Sequence, residues 1–103
     1  MIIVIGTSDF PRLEDVENFE QFKIVAHATL FGSKDLIKQI GMLGSIDENG
    51  NHVWVSIFEF MSLFGSGRSE AWLDNFNKML EGVAKYGFLN SDGTAFRSHI
   101  EAL

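Results

Sequence analysis

Residues 52–64 read HVWVSIFEFMSLF, and the interpretation of this stretch decides the predicted fold. Successive side chains of a strand point to opposite faces of a sheet, so a strand over 52–62 is apolar on both. One face carries Val53, Val55, Ile57 and Met61, and the other carries Trp54, Phe58, Phe60 and Phe64. Such a strand is expected at the centre of a sheet, covered on both sides. One layer of helices covers one face, so the second face requires another layer, a bend or a partner subunit.

The residues before this stretch predict a hairpin, but their own structure is ambiguous. Residues 47–50 read DENG, and Asn-Gly favours the positive φ angles of a tight hairpin turn. A hairpin needs two strands of comparable length, which favours a strand over at least 40–47. The apolar residues of 36–43 nevertheless have helical spacing, and Ser33 is placed to cap a helix. The interpretation of 34–43 as helix or strand therefore stays open.

Apolar periodicity and turn residues place the remaining elements along the chain. They are strands at 2–5, 22–31 and 94–100 and helices at 11–21 and 69–86. The predicted order is β-α-β-β-β-α-β. Two helices packed on a mixed or mainly antiparallel sheet of four or five strands make an α+β fold, with a ferredoxin-like variant as the nearest common template. The chain has 103 residues, which predicts one domain over 1–103.

The composition limits the classes of function that we expect. Eight Lys and Arg against fourteen Asp and Glu give a net charge of −6. A nucleic-acid-binding face must be basic, and acidity disfavours anionic membranes, so we expect neither partner. The absence of Cys excludes disulfides, zinc–thiolate sites and thiol catalysis. No stretch resembles a signal peptide or a membrane span, which predicts a cytoplasmic protein, and no motif indicates a cofactor or a metal.

The aromatic content predicts a binding surface. Ten Phe, two Trp and one Tyr exceed what a core of this size readily encloses, because each ring buries on the order of 150–250 Å². Together with the doubly apolar strand, these rings predict a non-enzymatic homodimeric binding or interaction module. Trp54, Phe58 and Phe60 would then form an aromatic dimer interface or line a small apolar pocket.

The first alternative is a cofactor-independent enzyme that acts on a hydrophobic substrate. His27 and His99 both fall on predicted strands and are placed to face a common cleft, where one would act as a general base. Residues 65–69, GSGRS, precede a helix whose free N–H groups attract anions. Ser66 and Arg68 of this loop would then bind an anionic part of the ligand. A turn with a serine cap explains the same loop equally well.

The second alternative is an acidic protein that blocks a basic partner. Glu14, Asp15, Glu17 and Glu20 crowd the predicted helix at 11–21. Such a run can imitate a row of phosphates, although its usual meaning is a solvated face. On this hypothesis the helix carries the contact with the partner.

Overall fold

The computed structural model describes residues 1–6, 8–47 and 49–103. Within them the chain forms six strands and three α-helices. In chain order these are β1 (Ile2–Ile5), β2 (Arg12–Glu14), β3 (Lys23–Ala26), α1 (Lys34–Leu43), β4 (Gly44–Ile46), β5 (His52–Ser56), α2 (Ile57–Phe64), α3 (Glu70–Ala84) and β6 (Ala95–Ala102). A 3₁₀ helix, Ala28–Leu30, lies between β3 and α1. The predicted α+β class is confirmed, with one more helix and at least one more strand than predicted.

The six strands belong to one mixed sheet, in the order β2-β1-β3-β6-β5-β4. The neighbours β1, β3 and β6 run parallel, and the other pairs are antiparallel. The predicted hairpin is present between β4 and β5, where the Asp47 N–H donates to the His52 carbonyl at 2.9 Å. Glu48 of that turn lies outside the described residues. The order of elements departs from the β-α-β-β-α-β order of a ferredoxin-like fold.

One hydrophobic core lies between the sheet and all three helices. The strands contribute alternate residues to it, among them Ile3, Ile24 and Phe96, so the helices pack on the same face of the sheet. Phe60 of α2 is fully buried at the centre of an aromatic cluster. Its ring stacks on Phe76 of α3 with centroids 5.0 Å apart and meets Phe96 edge-on at 6.2 Å. These rings join both later helices to the middle of the sheet.

A serine caps the N-terminus of each α-helix. The side-chain oxygens of Ser33, Ser56 and Ser69 accept hydrogen bonds from the backbone N–H three residues later, at 3.2, 3.2 and 3.1 Å. Each bond satisfies one of the N–H groups that a helix leaves unpaired in its first turn. The helix predicted at 69–86 is confirmed as α3.

The long strand predicted over 52–62 is wrong in its second half, because β5 ends at Ser56 and α2 begins there. The Ser-x-x-Glu sequence that starts at Ser56 has the spacing of a capping box and indicates a helix start. The apolar alternation of the same stretch indicates a strand instead. Within α2, Phe60 is buried and Phe58 is 75% exposed. These two side chains and Trp54 do not share one face, so the strand face that was predicted to carry all three does not form, and their role in binding stays a prediction. The homodimer loses that argument and stays a prediction.

The helix predicted at 11–21 is also wrong. The segment forms β2, which pairs antiparallel with β1 and places Leu13 against the core. Asp15, with a φ of 55°, then begins a turn that is closed by the Asn18 N–H donating to the Asp15 carbonyl at 3.0 Å. The unpaired edge of β1 gains backbone partners in this way, which outweighs a weak helical periodicity. The acidic side chains of the segment are therefore carried by a strand and a turn.

Two further boundaries differ from the prediction. β3 is shorter than the strand predicted at 22–31, because the chain turns at His27 into the 3₁₀ helix. Residues 34–43 are helical, so the strand favoured over 40–47 is wrong except for β4. Helical spacing decides this segment, since it buries three side chains against the core: Leu36, Ile40 and Leu43. The strand predicted at 94–100 is confirmed as β6.

Candidate functional site

The α1 groove is an apolar cavity of about 560 Å³ between α1, the residues before it and the β4–β5 hairpin. Phe31, Ile37 and Ile46 are 44%, 67% and 49% exposed around it. Its described lining comprises these three residues, Leu36, Ile40, Ile100, Ser45 and four glycines, and none of them is charged. Exposed apolar patches of this kind are typical of surfaces that contact a ligand or another protein.

Gly41 keeps the α1 groove open. It lies within α1, where a glycine costs about 1 kcal/mol relative to alanine. A Cβ at this position would meet no neighbouring atom within 4 Å, and the φ angle of Gly41 is not positive. Neither packing nor backbone conformation requires a glycine here. The space in front of Gly41 therefore belongs to the groove.

The α3 groove is a second cavity, of about 510 Å³, between α3 and the loop that follows β2. Its lining is apolar at Phe19, Phe22, Met79, Val83, Tyr86 and Phe88 and polar at Glu20, Asn75 and Lys78. Gly82, within α3, also lines it, and a Cβ there would meet no neighbouring atom within 4 Å. The α3 groove thus shares the helical glycine of the α1 groove but differs in carrying charges of both signs.

A smaller cavity of about 240 Å³, the histidine pocket, adjoins the α3 groove. Phe22, Val83 and Phe88 line both cavities. The rest of the pocket is formed by Phe96 and three basic residues, His52, Arg97 and His99. The antiparallel register places His52 opposite His99, and their rings meet edge to face with centroids 5.8 Å apart.

Asp47 belongs to a polar network on the face of the sheet opposite the helices. Arg97 Nη2 lies 3.2 Å from Asp47 Oδ2 and 3.2 Å from His52 Nδ1. Burial raises the pKa of Asp47, but the hydrogen bonds from Arg97 and from the backbone of His52, with the charges of both residues, outweigh it. The pKa of Asp47 therefore lies below its ordinary value of 3.8, and the carboxylate is ionised at neutral pH.

Glu101 lies on the same face of the sheet and contacts Lys23 and His99. Its Oε2 accepts a hydrogen bond from Lys23 Nζ at 3.2 Å, and its Oε1 lies 3.1 Å from His99 Nε2. The bond and the charge of Lys23 lower the pKa of Glu101 below its ordinary value of 4.5, against the opposing effect of burial, and His99 adds to the lowering. Glu101 therefore orients a histidine whose side chain remains 53% exposed.

The two histidines predicted as catalytic are not brought together. His27 follows the last residue of β3, whereas His99 pairs with Lys23, the first residue of β3. His27 is exposed, its Nδ1 lies 2.9 Å from Thr29 Oγ1, and it lines none of the cavities described above. His52, which the sequence did not single out, is instead the neighbour of His99.

The glycine-rich loop holds Arg68 in contacts with its own surroundings. The Nε of Arg68 donates to the Phe64 carbonyl at 2.9 Å, and its guanidinium lies over the Trp72 ring, 5.1 Å from the centroid. Ser66 is exposed in the turn that Gly67 makes with a φ of 76°. These are the contacts of a structural turn, and anion binding by Ser66 and Arg68 stays a prediction.

The three aromatic residues predicted to bind a ligand have different environments. Phe60 is enclosed in the core, and Phe58 projects from the outer side of α2. Trp54 lies opposite Arg97 on the sheet face away from the helices. There it lines an open cavity of about 410 Å³ together with Asp47 and Arg97. The predicted set of binding residues is thus divided between the core, a helix surface and a sheet surface.

The sequence contains signals for the residues that it did not single out. Gly41 and Gly82 interrupt stretches that are otherwise well suited to a helix, and a glycine inside a helix leaves space where a side chain would lie. The period-two spacing of a strand also places Arg97 and His99 on one face. Their approach to His52, however, depends on the register between two strands, which neither strand reveals alone.

Among the described residues, no helix is both long and apolar enough to cross a membrane. No group of three His, Asp or Glu residues in the described part of the chain is arranged to hold a metal ion. The case for a function rests on the cavities, because no protein-family model, no curated protein and no solved structure matches this chain.

Proposed function

We propose that this protein is a non-enzymatic binding module that holds a small apolar molecule in the α1 groove. The observation that supports it is the cavity of about 560 Å³ whose described lining carries no charged side chain. Small-molecule sites are concave, mainly apolar and roughly 300–1,000 Å³ in volume. The α1 groove has the size and the lining of such a site.

The lining also indicates the chemistry of the ligand. Phe31, Ile37 and Ile46 expose apolar surface in the free protein, and covering such surface stabilises a complex by about 25 cal/mol per Å². Ser45 contributes the one polar side chain of the described lining. A charged ligand would lose its hydration here without gaining a partner of opposite charge. We therefore expect a neutral, largely apolar ligand whose binding changes little with salt.

Gly41 provides an independent argument for an occupant. A glycine inside a helix destabilises it, and here the glycine satisfies no packing or backbone requirement. Natural proteins commonly retain residues that lower stability, and a loss of function on substitution is one reason for keeping them. A ligand in the groove supplies that reason, because a side chain at residue 41 would occupy its place.

Titration with N-phenyl-1-naphthylamine, a neutral fluorescent probe, tests the proposal. We expect saturable binding to the wild-type protein and about 10-fold weaker binding to Gly41→Leu, which corresponds to about 1.4 kcal/mol of lost contact. Gly41→Ala is the matched control, since it adds a single methyl group and should keep most of the affinity. Both variants should melt at or above the wild-type temperature, because alanine and leucine favour a helix over glycine.

Two outcomes contradict the proposal. One is the absence of saturable probe binding to the wild-type protein. The other is an equal affinity for Gly41→Leu and the wild-type protein, which would place the probe elsewhere. Ile37→Gln is a second variant on an exposed position of the same groove, and it should weaken the probe in the same direction without disturbing the core.

The enzyme alternative has one observation in its favour, the contact between His99 and Glu101 beside His52. A base oriented by a carboxylate is a common catalytic arrangement. Taken by itself, however, the histidine pocket measures about 240 Å³, below the roughly 300 Å³ of a small-molecule site. Neither of the two grooves is lined by a histidine among the described residues. The binding module is therefore the better supported function.

The acidic blocking protein and the homodimer have each lost one of the observations that supported them. The acidic protein that blocks a basic partner keeps its exposed carboxylates but lacks the helix at 11–21 that was to carry the contact. The homodimer lacks the doubly apolar strand that motivated it. Both stay predictions, and light scattering at micromolar concentration tests the second.

A further inference from the structure

The histidine pocket lies beside β6, between the segment that contains Leu89 and the start of β3. β5 pairs with β6 from Ala95 to His99 and occupies one edge of it. Leu89, which bridges Phe96, must therefore lie along the other edge. On that same edge β3 begins only at Lys23, opposite His99. The pocket opens between the segment that contains Leu89 and the start of β3.

The histidine pocket and the α3 groove adjoin each other and share three lining residues. Phe22, from the chain before β3, and Phe88 and Val83, from the end of α3 and the turn after it, line both cavities. The three shared residues are apolar, so the surface between the two cavities is apolar where they adjoin. Gly82 leaves space in this groove as Gly41 does in the other, since it lies within α3 and a Cβ there would meet no neighbouring atom within 4 Å.

The hydrogen-bond donors of the pocket favour an anionic group. Arg97, His52 and His99 line it, whereas the carboxylates paired with them do not. Asp47 contacts Arg97 in the cavity that also includes Trp54. A guanidinium has five N–H donors, and the contacts of Arg97 with Asp47 and His52 both use its Nη2 group. The remaining donors of Arg97 are available to a second acceptor.

We propose that the α3 groove and the histidine pocket together bind a small organic anion with an apolar body. The body lies in the α3 groove, and the carboxylate, sulfonate or phosphate group lies beside Arg97, His52 and His99. An Arg can donate two parallel hydrogen bonds to such a group. This site is separate from the α1 groove and takes a different class of ligand, so it does not depend on the function proposed above.

A matched pair of probes tests this site. 8-Anilinonaphthalene-1-sulfonate has the same ring system as N-phenyl-1-naphthylamine and adds only a sulfonate. Both are titrated into Gly41→Leu, in which the α1 groove is filled. We expect the sulfonate probe to bind at least about 10-fold more weakly when Arg97→Gln is added, as for one charge-assisted hydrogen bond. The affinity of the neutral probe should change by less than about twofold, since it has no group for Arg97 to recognise.

Asp47→Asn and Gly82→Leu complete the set of variants. Asp47→Asn removes a carboxylate that competes for Arg97, so the affinity for the sulfonate probe should rise about two- to fivefold. A purely structural role of the network predicts the opposite sign. Gly82→Leu fills the α3 groove and should weaken both probes about 10-fold or more in the same background, while its melting temperature stays at or above that of the parent protein.

A solution measurement keeps the test independent of folding in any variant. Raising NaCl from about 0.05 to 0.5 M should weaken the sulfonate probe several-fold and leave the neutral probe nearly unchanged, because salt screens only the charged contact. The proposal is overturned if salt and Arg97→Gln leave the sulfonate probe unaffected. Unchanged binding to Gly82→Leu, or weaker binding to Asp47→Asn, overturns it as well.

Discussion

The two faces of the sheet are held by different forces. On the face that packs against the helices, Phe60, Phe76 and Phe96 form a closed aromatic cluster. The opposite face carries ion pairs such as Lys23 with Glu101, whose side chains are 37% and 44% exposed. Buried aromatic rings stabilise the fold through the apolar area that they remove from water and through their mutual packing. Exposed ion pairs contribute little to stability. The stability of the fold therefore resides mainly on the helical face.

The same comparison separates the two faces in function. Side chains of the helical face are fixed by close packing, so a change in one is felt by its neighbours. The opposite face can exchange side chains at small cost, which is compatible with the role in binding that we propose for Arg97 and His99. The grooves lie where the helical layer stops, and there the apolar surface of the core reaches solvent.

The largest effect on the free energy of unfolding is expected from α2, where one phenylalanine is buried and another is exposed. Phe60→Ala removes a fully buried ring and should cost about 3–5 kcal/mol of the free energy of unfolding. Phe58→Ala, two residues away on the same helix, removes a ring that is 75% exposed and should change it by less than about 0.5 kcal/mol. Urea denaturation of both variants measures the contrast. Similar losses of unfolding free energy from the two variants would contradict the burial of Phe60 and the exposure of Phe58.

A smaller effect is expected at Gly44, where α1 passes into β4. A Cβ at this position would lie 1.8 Å from the Trp54 carbonyl oxygen, a backbone atom of the neighbouring strand. Gly44→Ala must therefore displace β4 from β5, at a cost of roughly 1–3 kcal/mol. Gly41→Ala, three residues earlier and without neighbours, is the control and should stabilise the protein by up to about 1 kcal/mol. Stability equal to wild type in Gly44→Ala would show that β4 is not held in this register.

Local signals were sufficient for part of the fold. The strand at 2–5, the helix at 69–86, the Asn-Gly hairpin and the strand at 94–100 are confirmed because each carries its own boundary residues. α3, for example, begins at a serine cap and ends before Gly87, which has a φ of 77°. Such caps act within one turn of the chain, so they can be recognised without knowledge of the rest of the fold.

The remaining elements depend on contacts that are distant in sequence. β2 forms because β1 has a free edge, and the acidic residues around Leu13 do not reveal that partner. The stretch after Ser56 alternates well enough for a strand, yet a helix buries Phe60 against Phe76, 16 positions further along. Periodicity in a short apolar run does not distinguish these outcomes. The capping-box spacing at Ser56 was the local evidence that would have decided it.

The candidate sites were the least predictable part of the molecule. The histidine pocket requires His52 and His99 from two strands and Phe88 from a turn, and no motif joins residues so far apart. The grooves depend on where the helices leave the sheet uncovered, which is a property of the whole fold. Of the predicted catalytic and binding residues, His99 lines the histidine pocket and Trp54 lines a separate cavity.

The smallest effect is expected on the sheet face opposite the helices, and it is best measured as a function of pH. The pKa of Asp47 and the pKa of Glu101 both lie below their ordinary values of 3.8 and 4.5, which the unfolded chain retains. A carboxylate whose folded pKa is lowered stabilises the protein above its unfolded pKa. That contribution is lost as the pH falls through the unfolded value and then through the folded pKa.

The free energy of unfolding of the wild-type protein should therefore decrease between about pH 5 and pH 3 more steeply than that of Asp47→Asn/Glu101→Gln. Between about pH 6 and pH 8 these two carboxylates remain ionised in both states, so they add no difference in slope there. Urea denaturation at each pH gives the two curves. Parallel curves down to pH 3 would show that the network adds no stability. The network of Asp47 and Glu101 would then serve to position Arg97 and His99 rather than to stabilise the fold.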